Sequence, residues 1–250
     1  MYIKETHSTS TLLREQYTDA LPHLYTIRTD YQTAGRGQAG NTWESEKGKN
    51  LLFSTLLRHE ELHATEQWRI SMWVAITLWE VLAKHLDKER LTIKWPNDIY
   101  YGDKKLVGIL IENALIGQYV EHSIVGIGVN VHQMNWRSNA PNPISMKEIT
   151  GREYDIEGLL NEWICSMKSW KNSKIEDLSS AYLQHLYRRE GRHEYVERQV
   201  SVAPTSIAEK GAKDAFLAEI VTITQQGELI LRLQNKEEKK YHFKQIRFVI

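Results

Sequence analysis

The sequence has very little cysteine: Cys165 is the only one among 250 residues, so no disulfide can form within the chain. Such a chain suits a reducing compartment, and we expect a cytoplasmic protein. Cys165 lies where apolar residues recur at helical spacing. Because a free cysteine packs like a small hydrophobic residue, we expect this thiol in the core rather than at a reaction centre.

Long apolar runs are absent as well. The first residues, Met1-Tyr-Ile-Lys-Glu-Thr, lack the apolar core of a signal peptide. The most apolar helical stretch, residues 68–86, is interrupted by Arg69, Glu80 and Lys84. A bilayer span needs about 20 consecutive, predominantly apolar residues, so we expect no membrane partner.

Neither sign of charge is in excess, because 32 Lys and Arg residues balance 32 Asp and Glu residues. Proteins that bind nucleic acids through a broad basic surface carry a clear positive excess. We therefore expect no DNA partner, although a local basic patch would not show in this total. The hydrophobic fraction of 41% is ample for a buried core.

The periodicity of apolar residues predicts an α+β fold in two domains. We expect strands at residues 2–4, 24–29, 51–57, 91–95, 106–111 and 123–131, with helices after Ser8 and at residues 68–86, 156–170 and 175–189. After Arg192 only short strands are predicted, at residues 198–202, 216–224, 228–233 and 241–249. The boundary then separates a larger domain, residues 1–190, from a small β domain, residues 191–250.

Two short motifs occur in contexts that do not support their usual functions. Gly35-Arg-Gly-Gln-Ala-Gly matches G-x-G-x-x-G, but the residues that follow lack the apolar helix that dinucleotide binding requires. His59-Glu-Glu-Leu-His matches the H-E-x-x-H of zinc proteases, which needs both histidines on one helix. It lies between a predicted strand and a predicted helix, so we interpret it as a solvated connection.

Three other segments concentrate polar residues at strand ends or in loops, where functional groups are usually presented. In the loop at residues 30–49, Arg36 lies between glycines and can hold a carboxylate or phosphate, although a solvated turn explains it equally well. Lys94-Trp-Pro-Asn-Asp ends a strand, and Lys105 begins the next. Asn130 ends Gly126-Ile-Gly-Val-Asn, and its amide can pair with an adenine edge or cap a turn.

Together these segments resemble the biotin protein ligases. The matching segments follow the family's order and approximate spacing: Ser8-Thr-Ser, Tyr31-Gln-Thr-Ala-Gly-Arg-Gly-Gln with Trp43, Lys94-Trp-Pro-Asn-Asp, Lys105-Leu-Val-Gly-Ile-Leu and Gly126-Ile-Gly-Val-Asn. The resemblance covers essentially the whole chain and is weakest in the C-terminal part. It implies a class II synthetase-like catalytic domain, with helices packed on a mixed β-sheet, followed by a small SH3-like β-barrel.

The resemblance also implies an activity. A ligase of this family uses ATP, with Mg²⁺, to convert biotin into biotinyl-5'-AMP. It then transfers biotin to one lysine of a biotin carboxyl carrier domain of a carboxylase. A homodimer is left open by the sequence, as are the magnesium ligands.

Site residues are implied in the same way. Those for biotin are Ser8, Thr9, Ser10, Gln32, Gly35, Arg36, Gly37, Gln38, Lys105 and Gly108. Those for ATP are Arg36, Trp43, Asn97, Lys105 and Asn130. The residues implied in catalysis are Arg36, Lys94, Asp98 and Lys105, with Asp98 as the hypothetical base for the acceptor lysine. Ser10 and Gln38 depart from the family pattern, which often has asparagine at the first position and in some members arginine at the second.

Two alternative functions are less consistent with the sequence. A lipoate–protein ligase shares the reaction, but its arginine-arginine and triple-glycine pattern is missing from this sequence. A biotin-sensing transcriptional repressor needs an N-terminal helix-turn-helix domain. The first matching segment begins at Ser8, which leaves no room for such a domain, and the neutral net charge agrees.

Overall fold

The larger part of the fold is a seven-stranded mixed β-sheet. The computed structural model describes residues 1–137, 142–198 and 215–250. The strands of this sheet are β1 (Tyr2–Ile3), β2 (Thr26–Thr29), β3 (Leu51–Arg58), β4 (Leu91–Lys94), β5 (Asp98–Tyr101), β6 (Lys104–Ile116) and β7 (Tyr119–Val129). Their spatial order is β1-β2-β3-β7-β6-β5-β4. β1 pairs with β2 in parallel and the other neighbours are antiparallel, so the predicted mixed sheet is confirmed.

Helices cover the two faces of this sheet unequally. The helices are α1 (Thr9–Glu15), α2 (Trp68–Ala83), α3 (Met146–Thr150), α4 (Ile156–Ser169) and α5 (Ile175–Gln184). One face packs against α2 and α4, where the rings of Phe53 and Trp163 are 4.9 Å apart. Among the described helices, α1 is the one that packs on the other face, through Leu13. The uncovered part of this second face is available for a site.

The residues after β7 end in a second, antiparallel sheet. Its strands are β8 (His193–Glu197), β9 (Phe216–Ile223), β10 (Leu229–Leu233), β11 (Glu238–Tyr241) and β12 (Ile246–Phe248), in the order β11-β10-β9-β8-β12. It agrees with the predicted small β domain, while the boundary at residues 190 and 191 stays a prediction. The sheet contacts the first one at Trp95, whose indole N–H donates to the carbonyl of Gly227 at 3.0 Å.

Several local predictions are wrong. Residues 241–249 form the end of one strand and a second strand, with a turn between them at Lys244 (φ 76°). α5 ends at Gln184 rather than residue 189, and Arg188 has left-handed backbone (φ 57°) that a helix excludes. β5 and α3 were not predicted, and β6 extends to Ile116. Except for Arg198, the predicted strand at residues 198–202 lies outside the described residues.

Cys165 corrects another prediction, because the structure places its side chain at the surface. The buried positions of α4 are Leu159, Leu160, Trp163 and Met167. Cys165 is two residues from Trp163 and therefore points to the opposite side of the helix. Among the described helices, none combines the length and apolarity needed to cross a membrane.

The H-E-x-x-H segment does not form a helix. His59 follows β3, and its Nε2 atom is 2.8 Å from the hydroxyl of Ser123. His63 caps a short 3₁₀ turn, and its ring nitrogens contact Thr65 and Gln118. Within the described ranges, no three His, Cys, Asp or Glu side chains are grouped as a metal ion requires. The segment is a connection, as predicted, but His59 itself is withdrawn from solvent.

Burial of His59 generates a pH prediction. Burial is the main cause that lowers the pKa of this imidazole from 6.5 to about 4, and the nearby His23 and His122 add to it. The unfolded chain therefore binds a proton near pH 6.5 that the folded chain accepts only near pH 4. As the pH falls from roughly 7.5 to 5, we expect the free energy of unfolding to decrease. The contribution of His59 to this decrease is about 2 kcal/mol.

Urea denaturation at a series of pH values measures this loss. His59→Gln should flatten the profile, although His23, His132 and His185, whose pKa values burial also lowers, keep some slope. His242→Gln is the control, because that side chain is 69% exposed. Equal profiles for the wild type and His59→Gln would contradict the assignment.

Candidate active site

The uncovered face of the sheet has a floor without side chains. Gly108 on β6 and Gly128 on β7 are cross-strand partners. The indole ring of Trp43 lies directly on both of them. A Cβ atom would lie 2.5 Å from the ring at Gly108 and closer still at Gly128. These glycines are therefore required by the close approach of the ring.

The loop that carries Trp43 folds back as a hairpin. The Trp43 N–H donates to the carbonyl of Gly35 at 2.9 Å, and the Gly37 N–H donates to the carbonyl of Asn41 at 2.7 Å. Gly40, at the tip, has a φ of 83° that favours glycine. Gly35 cannot carry a side chain, because its Cβ would lie 2.6 Å from the Trp43 carbonyl oxygen. The glycines thus serve a turn, and the predicted mismatch with a dinucleotide motif agrees with this geometry.

A pocket of hydroxyl groups lies beside the floor. Ser8, Thr9 and Ser10 are buried at the start of α1, with the Ser8 and Ser10 hydroxyls 3.1 Å apart. The Thr9 N–H and hydroxyl donate to Gln32 Oε1 at 2.8 and 3.1 Å. The structure therefore brings four of the predicted biotin-binding residues together.

Ser54 on β3 completes this pocket and was not predicted. Its hydroxyl is 2.8 Å from that of Thr9, and it lies opposite Gly126 across the β3–β7 pair. The signal was a serine within the otherwise apolar run Leu51-Leu-Phe-Ser-Thr-Leu-Leu. A buried hydroxyl in such a run needs a polar partner, which is a reason to suspect a site.

Lys105 and Asp98 form an ion pair at the opposite end of the floor. Lys105 Nζ is 2.8 Å from Asp98 Oδ1 and 5.7 Å from the centroid of the Trp43 ring. Asp98 is the cross-strand partner of Gly108. The structure thus brings together three of the predicted groups, Lys105, Asp98 and Trp43.

Lys94 and Asn97 have structural contacts. The Lys94 ammonium lies 5.0 and 4.8 Å from the ring centroids of Tyr100 and Phe248, in the contact between the two sheets. Burial lowers the pKa of this amine, and Asp98 partly opposes that effect. The Asn97 amide donates to the carbonyl of Ile109, and its side chain is only 5% exposed. Their predicted catalytic and nucleotide-binding roles stay predictions.

Asn130, two residues after Gly128 in the chain, presents an acceptor without a partner among the described residues. Its amide nitrogen donates to the carbonyls of Lys105 and Ile144, at 3.3 and 3.1 Å. Its Oδ1 atom and the Trp43 Nε1 atom are both buried and have no hydrogen-bond partner in the described part of the chain. Buried polar atoms normally have partners, so this acceptor and donor point to a polar ligand.

Arg36 lies apart from Lys105. Its guanidinium makes two hydrogen bonds to Glu112, at 2.8 and 3.2 Å, and Glu112 also accepts Arg14 at 2.5 Å. Glu112 is seven residues beyond Lys105 on β6, about 20 Å along the strand. The structure therefore does not bring these two predicted cations together. Glu112 was not predicted, because a glutamate in a strand carries no sequence signal of its own.

The fit between Trp43 and the glycine floor can be tested by adding one methyl group. Gly128→Ala or Gly108→Ala should displace the ring and loosen the hairpin, because the new Cβ overlaps the indole. We expect trypsin to cleave after Arg36 and Lys47 about tenfold faster. Gly126→Ala is the matched control, since its Cβ would meet the Ser54 hydroxyl at an ordinary 3.4 Å. Equal cleavage of the three variants would show that the ring does not depend on the glycines.

Comparison with known proteins agrees with this geometry. Residues 2–130 match the model of the biotin/lipoate A/B protein ligase family. The bifunctional ligase/repressor BirA of Bacillus spizizenii is 30% identical over 172 residues, which are 66% of this chain and 51% of that protein. The biotin–[acetyl-CoA-carboxylase] ligase of Paracoccus denitrificans is 30% identical over 151 residues, 56% of this chain and 60% of that protein.

The fold is shared with solved structures. The biotin protein ligase from Aquifex aeolicus in complex with biotin and ATP superposes with a TM-score of 0.75 at 21% identity, covering 100% of this chain and 98% of that one. The chain spans about half the length of the BirA relative. Because the family model matches more than half of the residues, and the glycine floor lies within the matched part, this chain belongs to the biotin/lipoate A/B protein ligase family.

Proposed function

We propose that this chain is an ATP-dependent biotin–protein ligase. The observation that carries the proposal is the arrangement around the Trp43 ring, with the hydroxyl pocket at one end of the glycine floor and the Lys105–Asp98 pair at the other. An acid with a polar head, an apolar tail and a carboxylate fits such a site. Relatives named as biotin ligases, and the related structure that contains biotin and ATP, support the choice of substrates.

The hydroxyl pocket suits the ureido ring of biotin. A ureido group offers two N–H donors and one carbonyl acceptor, and a hydroxyl can donate or accept. Ser8, Ser10 and Ser54 supply three buried hydroxyls, while Thr9 and Gln32 hold one another. The tail then extends from the hydroxyl pocket toward Lys105, along the Trp43 ring that covers the glycine floor. We place the carboxylate beside Lys105.

The orphaned groups suit adenine. The amino group of adenine can donate to Asn130 Oδ1, and the Trp43 ring supplies an apolar wall. Asn97 supports the site from below by holding β6 through Ile109. We assign Mg²⁺ to the phosphates of ATP, because this ion usually binds through substrate phosphates, several waters and one or two carboxylates.

In the first step the carboxylate oxygen attacks the α-phosphorus, and pyrophosphate leaves. Two anions approach one another, so fixed positive charge lowers the barrier. Lys105 supplies that charge at the carboxylate by exchanging Asp98 for the substrate. Arg36 acts from the other end of β6, where its pair with Glu112 holds the loop backbone closed. A closed loop excludes water, which would hydrolyse the mixed anhydride.

In the second step the amine of the acceptor lysine attacks the activated carbonyl, and AMP leaves. A free lysine has a pKa near 10.4, so the amine must first lose a proton. Asp98 is our candidate for the base, because its carboxylate lies at the Lys105 end of the floor. The acceptor is a biotin carboxyl carrier domain. For the chain itself, a cytoplasmic location, a homodimer and the absence of a DNA partner stay predictions.

Substitution of Asp98 and substitution of Lys105 should impair different steps of the reaction. Asp98→Asn should slow transfer from preformed biotinyl-5'-AMP about 100-fold, with adenylate formation changed less than about threefold. Lys105→Ala should reduce adenylate formation by about 100-fold or more, because the carboxylate loses its counter-ion. Single-turnover kinetics separate these steps. Equal loss of both steps in Asp98→Asn would assign this carboxylate a structural role.

Exchange of labelled pyrophosphate into ATP tests the proposed function directly. The measurement needs only the acid, ATP and Mg²⁺, so it does not depend on finding the acceptor protein. We expect biotin to drive exchange and lipoate not to do so. Exchange driven by lipoate would instead make the chain a lipoate–protein ligase, and exchange with neither acid would overturn the proposal.

A further inference from the structure

Two buried side-chain amides connect the end of the glycine-rich loop to the chain after β7. Asn50 and Gln133 are 1% and 0% exposed. The Asn50 amide nitrogen donates to Gln133 Oε1 at 2.6 Å. Neither residue belongs to the hydroxyl pocket or to the Lys105–Asp98 pair. Burying an amide is unfavourable unless its hydrogen bonds are made, so such a pair requires an explanation.

Every polar atom of this amide pair is used. Gln133 Oε1 also accepts the Glu46 N–H at 2.9 Å, and Gln133 Nε2 donates to the Asn135 carbonyl at 2.9 Å. Asn50 donates to the Ser45 hydroxyl at 3.1 Å. Its Oδ1 atom accepts the Val131 N–H at 3.0 Å. Losing Asn50 therefore removes the partner of the Val131 N–H, and losing Gln133 removes the partners of the Glu46 N–H and the Asn135 carbonyl.

The segments that the pair joins are those that carry the orphaned nucleotide groups. Ser45 and Glu46 follow Trp43 closely along the chain, and Val131 directly follows Asn130. A further hydrogen bond joins the same two segments, because the Glu44 carboxylate accepts the Arg137 N–H at 2.7 Å. The amide pair thus ties Ser45 and Glu46 to Val131, and these residues are close in sequence to Trp43 and Asn130.

We propose that Asn50 and Gln133 are positioning residues that act together as a latch on the nucleotide side of the site. The latch rests on the proposed function, since it sets the spacing between Trp43 and Asn130 for a nucleobase. It does not act on the acid. Among the described hydrogen bonds, none joins either amide to the pocket of Ser8, Thr9, Gln32 and Ser54.

A double-mutant cycle tests the latch in the full chain. Asn50→Leu and Gln133→Met keep the size of each side chain and remove its hydrogen bonds. In pyrophosphate exchange, each variant should raise the KM for ATP about tenfold and change the KM for biotin less than about twofold. The double variant should also reach only about tenfold, because either single change already opens the latch.

A buried hydrogen bond elsewhere supplies the control for general destabilisation. Thr77 on α2 is 0% exposed, and its hydroxyl donates to the carbonyl of Trp73 and accepts from Trp163 Nε1. Thr77→Val should lower the unfolding midpoint without changing the KM for ATP. An equal rise in that KM for Thr77→Val would overturn the latch. So would an unchanged KM in the single variants, or a rise of about 100-fold in the double variant.

Failure of the proposed function gives a different result. A wild-type chain that shows no exchange with any acid overturns the ligase proposal. In that case the double-mutant cycle compares equilibrium dissociation constants for ATP, measured by calorimetry. Weaker binding in both single variants, without further loss in the double variant, supports the latch independently of the reaction; wild-type affinity in all of them overturns it.

Discussion

The contact between the Trp43 ring and the backbone of Gly108 and Gly128 is the constraint on which the site depends. An indole can lie on two neighbouring strands only where neither strand carries a side chain. The hairpin at residues 35–43 places the Trp43 ring on these two glycines. Gly35 lies so close to the Trp43 carbonyl that it cannot carry a Cβ atom. The ring lies between the hydroxyl pocket and the Lys105–Asp98 pair, so its position sets how the two parts of the site are connected.

Charge is arranged so that each cation of the site has a carboxylate within the chain. Lys105 pairs with Asp98 and Arg36 pairs with Glu112, which Arg14 also contacts. An anionic substrate therefore competes with an internal carboxylate rather than meeting a bare cation. Both pairs are partly exposed, so each exchange costs little, on the order of 1 kcal/mol. Under the proposed function, positive charge is thus held in place before the phosphates of ATP arrive.

The sequence predicted the parts of the fold that depend on local pattern. The long apolar run of β3 and the amphipathic helices α2 and α4 were found, because their periodicity reflects burial directly. The C-terminal end of α5 and the side to which Cys165 points were predicted wrongly. The first depends on the left-handed backbone at Arg188 and the second on the rotation of the helix. The resemblance supplied Trp43 and Asn130, and the structure showed the buried atoms that make them credible.

Other parts of the site depend on tertiary contacts and could not be predicted. Glu112 is 76 residues from Arg36 along the chain. Asn50 and Gln133 are 83 residues apart, and neither has a neighbour that distinguishes it from any other surface amide. Ser54 was detectable in principle, since a serine interrupts an apolar strand. Polar residues that pair only in the folded chain leave no periodic signal.

The most direct test is a crystal structure of the chain with biotin and ATP. We expect the ureido ring among Ser8, Ser10 and Ser54, the carboxylate carbon beside Lys105, and the adenine amino group on Asn130 Oδ1 against Trp43. A biotin ring found elsewhere, or an adenine that leaves Asn130 Oδ1 without a donor, would contradict it.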